Sequence, residues 1–353
     1  MGGRSEHLVV IQARDLTKEF RQHRRFSGPL GAVRTLLTRE YTSRRAVDGV
    51  SFAIEPGEAV GYVGPNGAGK STTIKLLTGI LVPTEGEVRV NDRVPHTSRR
   101  ENARRIGVVF GQRSQLWWDL PVMDSFDLHR HVYDIEPSRY RRNLAFCEEV
   151  LHLREFVQVP VRQLSLGQRM RAELALALLH EPDVLFLDEP TIGLDVLAKD
   201  RIREFLRTVN REQKVTIILT THDLKDIEEI CPRIMVINFG QVVYDGMVED
   251  LKARLGNQRT VVIDFAHDPG PVALPGAELV HDEGSRKTYR FDRSVTSALD
   301  VLSALAGTHP VSDITLEEAG IEDVIRRLYQ SLGRELPESE EIDTWTRGRV
   351  VTQ

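Results

Sequence analysis

The strongest constraint on this chain is the run Gly64-Pro65-Asn66-Gly67-Ala68-Gly69-Lys70-Ser71, which fits the pattern G-x-x-x-x-G-K-[ST]. The apolar stretch Ala59-Val60-Gly61-Tyr62-Val63 before it reads as a buried strand, and Thr72-Thr73-Ile74-Lys75-Leu76-Leu77 after it as the opening of a helix. Strand, glycine-rich turn and helix in that order distinguish a phosphate-binding loop from a chance glycine-rich turn. Glycines let the backbone come close to phosphates. Successive N–H groups and the helix N-terminus then face the anion, Lys70 reaches the β and γ phosphates, and the Ser71 hydroxyl ligates Mg²⁺. The expectation is a nucleoside triphosphate site.

Further elements follow in a fixed order. Val184-Leu185-Phe186-Leu187 is continuously apolar, as a central parallel strand buried on both faces should be, and it ends in Asp188-Glu189-Pro190. A carboxylate at the end of such a strand sits beside the phosphate loop. There Asp188 can hold Mg²⁺ through water, and Glu189 can orient or deprotonate an attacking water. Upstream, Leu164-Ser165-Leu166-Gly167-Gln168-Arg169 opens a helical run from Met170 to His180. Downstream, the strand Val215-Thr216-Ile217-Ile218-Leu219 ends in Thr220-Thr221-His222-Asp223.

This order of motifs resembles the nucleotide-binding subunit of ABC transporters over residues 8–251. The resemblance implies an α/β fold: a P-loop ABC-type nucleotide-binding domain with a RecA-like core, a helical subdomain at 113–163 and an antiparallel β subdomain. It implies ATP and Mg²⁺ as ligands. Gly64, Asn66, Gly67, Gly69, Lys70, Ser71 and Thr72 would bind ATP as Walker A, Asp188 and Glu189 would close Walker B, and LSLGQ looks like the signature sequence. Gln112, after the strand Ile106-Gly107-Val108-Val109-Phe110, matches the glutamine that senses Mg²⁺ and the attacking water, with Gln115 as the alternative. The implied metal set is therefore Ser71, Gln112 and Asp188, and the implied catalytic set is Glu189, His222 and Gln112. Ile192-Gly193-Leu194-Asp195 matches the D-loop, with His222 as the switch histidine that contacts the γ-phosphate. Tyr41 lies at the family's usual distance from the lysine for the aromatic that stacks on adenine, although aromatics also simply pack.

One residue departs from the family pattern. The signature usually has two consecutive glycines, and Leu166 stands in place of the first. Leucine there implies an ordinary helical conformation with Ser165 as N-cap, a terminus that still presents N–H groups to an anion. The resemblance implies that Ser165, Gly167 and Gln168 complete the ATP site of an opposing subunit. With one P-loop and one signature, the chain would pair with a second nucleotide-binding subunit. A homodimer is the commoner arrangement, and a heterodimer stays open.

Length and composition agree. A chain of 353 residues suits two domains and can bury a substantial core. A net charge of −5 argues against a general nucleic-acid partner. Cys147 and Cys231 offer neither a zinc spacing nor a disulfide framework, which suits a reducing compartment. No run approaches the roughly 18 apolar residues of a membrane-spanning helix, and the N-terminus lacks a signal-peptide core. The expectation is a peripheral subunit on the cytoplasmic face of the membrane, bound to separate transmembrane permease subunits.

Leu8 to Phe20 and Ala46 to Ile54 read as strands, and between them 21–45 is an Arg-rich insertion with a short helix from Gly31 to Arg39. It is either a lipid- or partner-facing segment or a solvated surface. Trp117-Trp118-Asp119-Leu120-Pro121, just past Gln112, fits either packing or a groove that receives a membrane partner. Residues 256–332 read as a small α+β domain: strands at Arg259 to Phe265, Lys287 to Phe291 and Val311 to Leu316, helices at Val295 to Leu305 and Glu317 to Leu328. The polar tail 333–353 reads as disordered. The stretch Ile314-Thr315-Leu316-Glu317-Glu318 through Glu322-Asp323-Val324 is similar to the ending of ATPases that serve drug, lipid and polysaccharide exporters. That favours export. The rival class is a soluble ABC ATPase acting on ribosomes or DNA, whose paired domains or long coiled coil are not seen here.

Overall fold

The structure, a computed structural model, describes residues 9–23, 41–111, 113–305, 309–318 and 320–331. The chain separates into two compact units, the first ending at Asp245 and the second beginning at Gly246.

The first unit is built on a six-stranded sheet in the order β5-β6-β7-β3-β8-β9. Its strands are β3 (Ala59–Val63), β5 (Ile106–Phe110), β6 (Val184–Asp188), β7 (Thr216–Thr220), β8 (Arg233–Asn238) and β9 (Gln241–Met247). The pairs β5–β6, β6–β7, β7–β3 and β3–β8 are parallel. Every residue of β3 and β7 is buried, as are Val184 to Leu187 of β6. Unbroken apolar runs with no polar alternation form strands covered on both faces.

A second, antiparallel sheet has the order β2-β1-β4, from β1 (Ile11–His23), β2 (Tyr41–Ile54) and β4 (Glu85–Val90). Helix α1 (Lys70–Leu77) lies in the core that both sheets share: Ile11, Leu16, Val50 and Val88 join Ile74, Leu76, Tyr62 and Phe186 in one buried cluster. Truncating one large member, such as Phe186 to Ala, would cost about 3–5 kcal/mol. The strands outrun the sequence reading. Pairing continues to His23↔Tyr41, so the ends of the 21–45 segment are strand rather than insertion. Its expected helix, Gly31 to Arg39, lies outside the described residues, as does the tail 333–353.

The remaining helices of this unit are α2 (Arg99–Ala103), α3 (Val122–Val132), α4 (Pro137–Val150), α5 (Leu166–Leu178), α6 (Val196–Gln213) and α7 (Leu224–Ile230). Two 3₁₀ turns, Leu153–Glu155 and Val161–Gln163, complete the mostly helical stretch 113–163. Side-chain caps fix several starts. Glu136 accepts from the N–H of Ser138 and Arg139 ahead of Pro137, and Asp195 accepts from Ala198 N–H at 2.8 Å.

The second unit holds α8 (Val248–Leu255), α9 (Ala298–Leu305), α10 (Ile321–Ser331) and an antiparallel sheet β11-β12-β10-β13. The strands are β10 (Gln258–Phe265), β11 (Ala277–Glu283), β12 (Arg286–Asp292) and β13 (Val311–Glu318). Val261, Ile263, Phe265, Tyr289, Phe291, Val301 and Leu305 form its core. Strand β11 was not legible in the sequence, because its side chains from Glu278 onward are exposed and carry no apolar alternation. Glu317 and Glu318 belong to β13 rather than to the helix expected there. They pair with Thr260 and Arg259 of β10, and α10 begins only after Gly320. Arg327 donates to Leu255 O at 2.8 Å, placing a cation on the exposed carbonyls at the end of α8.

Candidate functional site

The loop 64–69 joins β3 to α1 at the carboxyl edge of the parallel sheet, where open α/β folds bind ligands. Two glycines are required for it to close. A Cβ on Gly64 would lie 2.3 Å from Ile237 O. Gly69 adopts φ 111°, and a Cβ there would lie 2.2 Å from Ala46 O. Asn66 and Gly67 are exposed at the loop's tip, whereas Gly69 and Lys70 are buried. Ser71 and Thr72 lie half-buried in the first turn of α1. Lys70 Nζ donates to Gly64 O at 2.7 Å and to Pro65 O at 3.2 Å. Burial pulls the Lys70 ammonium below its ordinary range, partly offset by the charges of Glu189 and Asp188.

Neighbouring strand ends bring the acidic residues to this loop. Asp188 closes β6 and is paired in register with Phe110 of β5 and Thr220 of β7. Ser71 Oγ donates to Asp188 Oδ1 at 3.1 Å, and Thr220 Oγ1 donates to the same oxygen at 2.6 Å. Glu189 follows in a left-handed conformation, φ 57°, and its N–H donates to Thr220 O at 2.9 Å. Its carboxylate turns toward β7, where His222 Nδ1 donates to Glu189 Oε2 at 2.5 Å and His222 N–H to the same atom at 3.4 Å. Ser71, Lys75, Ile80, Phe110, Gly111, Arg113, Asp188 and Glu189 line a cleft of ≈ 290 Å³.

The corner formed by Ser71 and Asp188 offers hard oxygen donors beside a cationic phosphate loop, the donor type that Mg²⁺ takes. Glu189 and His222 supply a carboxylate and an imidazole in direct contact, a pair able to orient and move a proton.

Other expected residues are placed elsewhere. Gln112 lies outside the described residues. Gln115 Nε2 donates to Val108 O at 2.5 Å, and its N–H to Glu173 Oε1 at 3.0 Å. Tyr41 is 52% exposed, with the Arg21 guanidinium 5.1 Å above its ring. Ser165 caps α5, accepting from Gln168 N–H at 3.2 Å while Gln168 Oε1 accepts from Ser165 N–H at 2.9 Å. Leu166 is the first helical residue, in the conformation its side chain demanded. Ser165, Gly167 and Gln168 do not line the cleft that holds Ser71 and Glu189. Asp195 caps α6.

Sequence reading missed Glu173. It is buried in α5 and takes bonds from the Ser114 hydroxyl and the Gln115 N–H, tying the segment after β5 to the helix that Ser165 opens. Burial pushes its carboxyl up, and these donors pull it partly back. Its one signal was a charge inside the apolar run Ala172 to Leu179.

Residues 47–192 match the family model described as ABC transporter. The chain is 32% identical over 207 residues to the ABC transporter ATP-binding protein NatA of Bacillus subtilis, covering 59% of this chain and 84% of that protein. It is 32% identical over 308 residues to the Nod factor export ATP-binding protein I of Ralstonia nicotianae, covering 85% of this chain and 93% of that protein. Among solved structures, the ATP-binding cassette MJ0796, a dimeric post-hydrolysis state bound to ADP and Pi, superposes with a TM-score of 0.56 at 26% identity. That match covers 67% of this chain and 98% of the other.

Proposed function

The chain belongs to the ATP-binding, ATP-hydrolysing proteins of the ABC transporter family, and from that premise we propose that it drives export through separate transmembrane subunits. The observation that carries the hydrolytic part is the convergence of Lys70, Ser71, Asp188, Glu189 and His222 at the ends of β3, β6 and β7. In this reading the loop N–H groups and Lys70 hold the triphosphate, Glu189 orients and deprotonates the attacking water, and His222 holds Glu189 and meets the γ-phosphate. Ser71 and Asp188, with Gln112, would hold Mg²⁺, which when bound neutralises phosphate charge. Water adds to the γ-phosphorus as the bond to the β-phosphate oxygen breaks, giving ADP and phosphate, and the water's proton passes to Glu189.

The capped terminus of α5, with Ser165, Gly167 and Gln168, would complete the site of a second nucleotide-binding subunit in a homodimer, with Asp195 at the junction. Export rather than import is supported by the name of the Ralstonia relative, whose match covers 85% of this chain. A peripheral place on the cytoplasmic face follows from the same reading. Among the described residues no helix is long and apolar enough to cross a membrane. Trp117 and Trp118, 56% and 54% exposed, with the Trp117 backbone N–H donating to Ser125 Oγ on α3, are the surface proposed to meet the membrane partner.

Light scattering on the Glu189→Gln protein tests the dimer. An ATP-dependent shift from monomer to dimer is expected. No shift, with ATP binding confirmed separately, would point to a different ATPase partner or to pairing only on the transmembrane subunits. ATP-dependent transport in vesicles, with and without the Trp117→Ala and Trp118→Ala changes, tests the membrane contact. Full ATPase activity coupled to no transmembrane partner would instead favour a soluble ATPase.

A further inference from the structure

We infer that Asp226 is a positioning residue that holds Glu189 and His222 in register, an inference that rests on reading those two as the hydrolytic pair. Asp226, on α7, is fully buried. Its Oδ2 accepts from Thr191 Oγ1 at 2.5 Å and from Thr221 Oγ1 at 3.3 Å, and its Oδ1 accepts from Arg203 Nε at 2.6 Å. Thr191 stands two residues after Glu189, and Thr221 immediately before His222. One carboxylate thus pins both segments that carry the pair.

Two features show why a clamp is needed. Glu189 sits at φ 57°, a left-handed conformation that is strained for a non-glycine residue and persists only where the surroundings over-determine it. The direct 2.5 Å contact between Glu189 and His222 spans two separate strand ends, so a shift of either segment breaks it. Hydrogen bonds to a buried carboxylate are charge-assisted, and those from Thr191 and Arg203 are short, which suits them to the task. The clamp also reaches α6. Arg203 is 3% exposed and contacts Asp226, Asp200, Asp223 and Glu229, while Lys199 Nζ meets Asp223 Oδ2 at 2.5 Å. These charges tie α6, which Asp195 caps, to the carboxylate that holds the Glu189 and His222 segments.

The test is steady-state ATP hydrolysis by the full chain carrying Asp226→Asn. The amide keeps the shape but turns one acceptor oxygen into a donor, facing either the threonine hydroxyls or the guanidinium. A roughly 10–100-fold fall in kcat, with KM for ATP nearly unchanged, is expected from displacement of the pair. Thr191→Val keeps the Arg203–Asp226 ion pair and removes only the link to the Glu189 segment. It should lower kcat in the same sense and decides the matter if Asp226→Asn fails to fold. In a His222→Ala background, Asp226→Asn should add little. Full additivity would mean a general structural effect and overturn the inference. Wild-type kcat in both Asp226→Asn and Thr191→Val, beside slow Glu189→Gln and His222→Ala proteins, would overturn the clamp alone. Normal turnover in Glu189→Gln and His222→Ala would overturn the reading of the pair itself.

Discussion

His222 Nδ1 donates to Glu189 Oε2 across 2.5 Å, joining the residues that follow β7 and β6. The contact fixes the rotamer of a carboxylate that stands next to Asp188, itself held by Ser71 and Thr220. Removing the basic oxygen while keeping the side chain's shape should therefore separate binding from chemistry. Glu189→Gln is expected to bind ATP normally and to release phosphate about 10²–10⁴-fold more slowly, measured in a phosphate-release assay. Undiminished turnover would exclude Glu189 as the base.

Lys70 folds back on the loop carbonyls, donating to Gly64 O and Pro65 O. In Lys70→Ala the phosphates lose a charge-assisted donor worth about 1.5–3 kcal/mol, so ATP affinity should fall about tenfold or more. Titration with a fluorescent nucleotide measures this directly, and unchanged affinity would remove Lys70 from the phosphate site.

Ser165 contributes to α5 through the reciprocal bonds it shares with Gln168. Ser165→Ala should cost about 1 kcal/mol of stability, read as a lowered denaturant midpoint. Because Ser165 lies off the cleft, ATP binding to the monomer should survive while hydrolysis by the assembled pair falls. Equal loss of both would place the serine in its own chain's site instead.

A pH dependence follows from the packed rings of His129, Tyr133 and His180, the first two stacked and the last tilted against Tyr133. His180 Nε2 donates to Ile106 O at 3.0 Å, which leaves its Nδ1 to accept from His129 Nε2 at 3.4 Å. Burial pushes His180 down to about 4, the Ile106 carbonyl drawing it partly back and Arg139 pushing it further down. Burial, with the neighbouring His180, pushes His129 down to about 3. Both folded values lie below the ordinary 6.5, so the unfolded chain binds more protons between them. Their contribution to stability is full above about pH 6.5 and is lost progressively as pH falls toward about 4 for His180 and about 3 for His129. Thermal midpoints at pH 7.5 and pH 5 should differ, and His129→Phe should reduce the difference. An equal drop in that variant would assign the acid lability to other groups.

Much of the site was legible from spacing. Gly64 to Ser71, Asp188-Glu189 and His222 each sit where an apolar run ends, and an apolar run of strand length has few alternatives in a parallel sheet. The capped start of α5 was legible because Ser165 and Gln168 are local in sequence. Strand β11 was not, since an exposed strand is defined by its hydrogen-bonded neighbour, β12, and not by its own pattern. The extension of β1 and β2 to His23 and Tyr41 was hidden for the same reason.

The sequence by itself determined the glycine-rich loop and the buried strands, and it singled out the side chains that gather at the ends of β3, β6 and β7. These rest on local backbone chemistry and on burial patterns that neighbouring residues encode. Only the tertiary structure decided that Glu189 meets His222 across 33 positions, that Asp226 joins Thr191 to Thr221 and Arg203, and that Glu173 reaches Ser114 across 59. A buried charge accepts its partners from whichever elements packing brings within reach, and that choice belongs to the assembled core, not to any one segment of the chain.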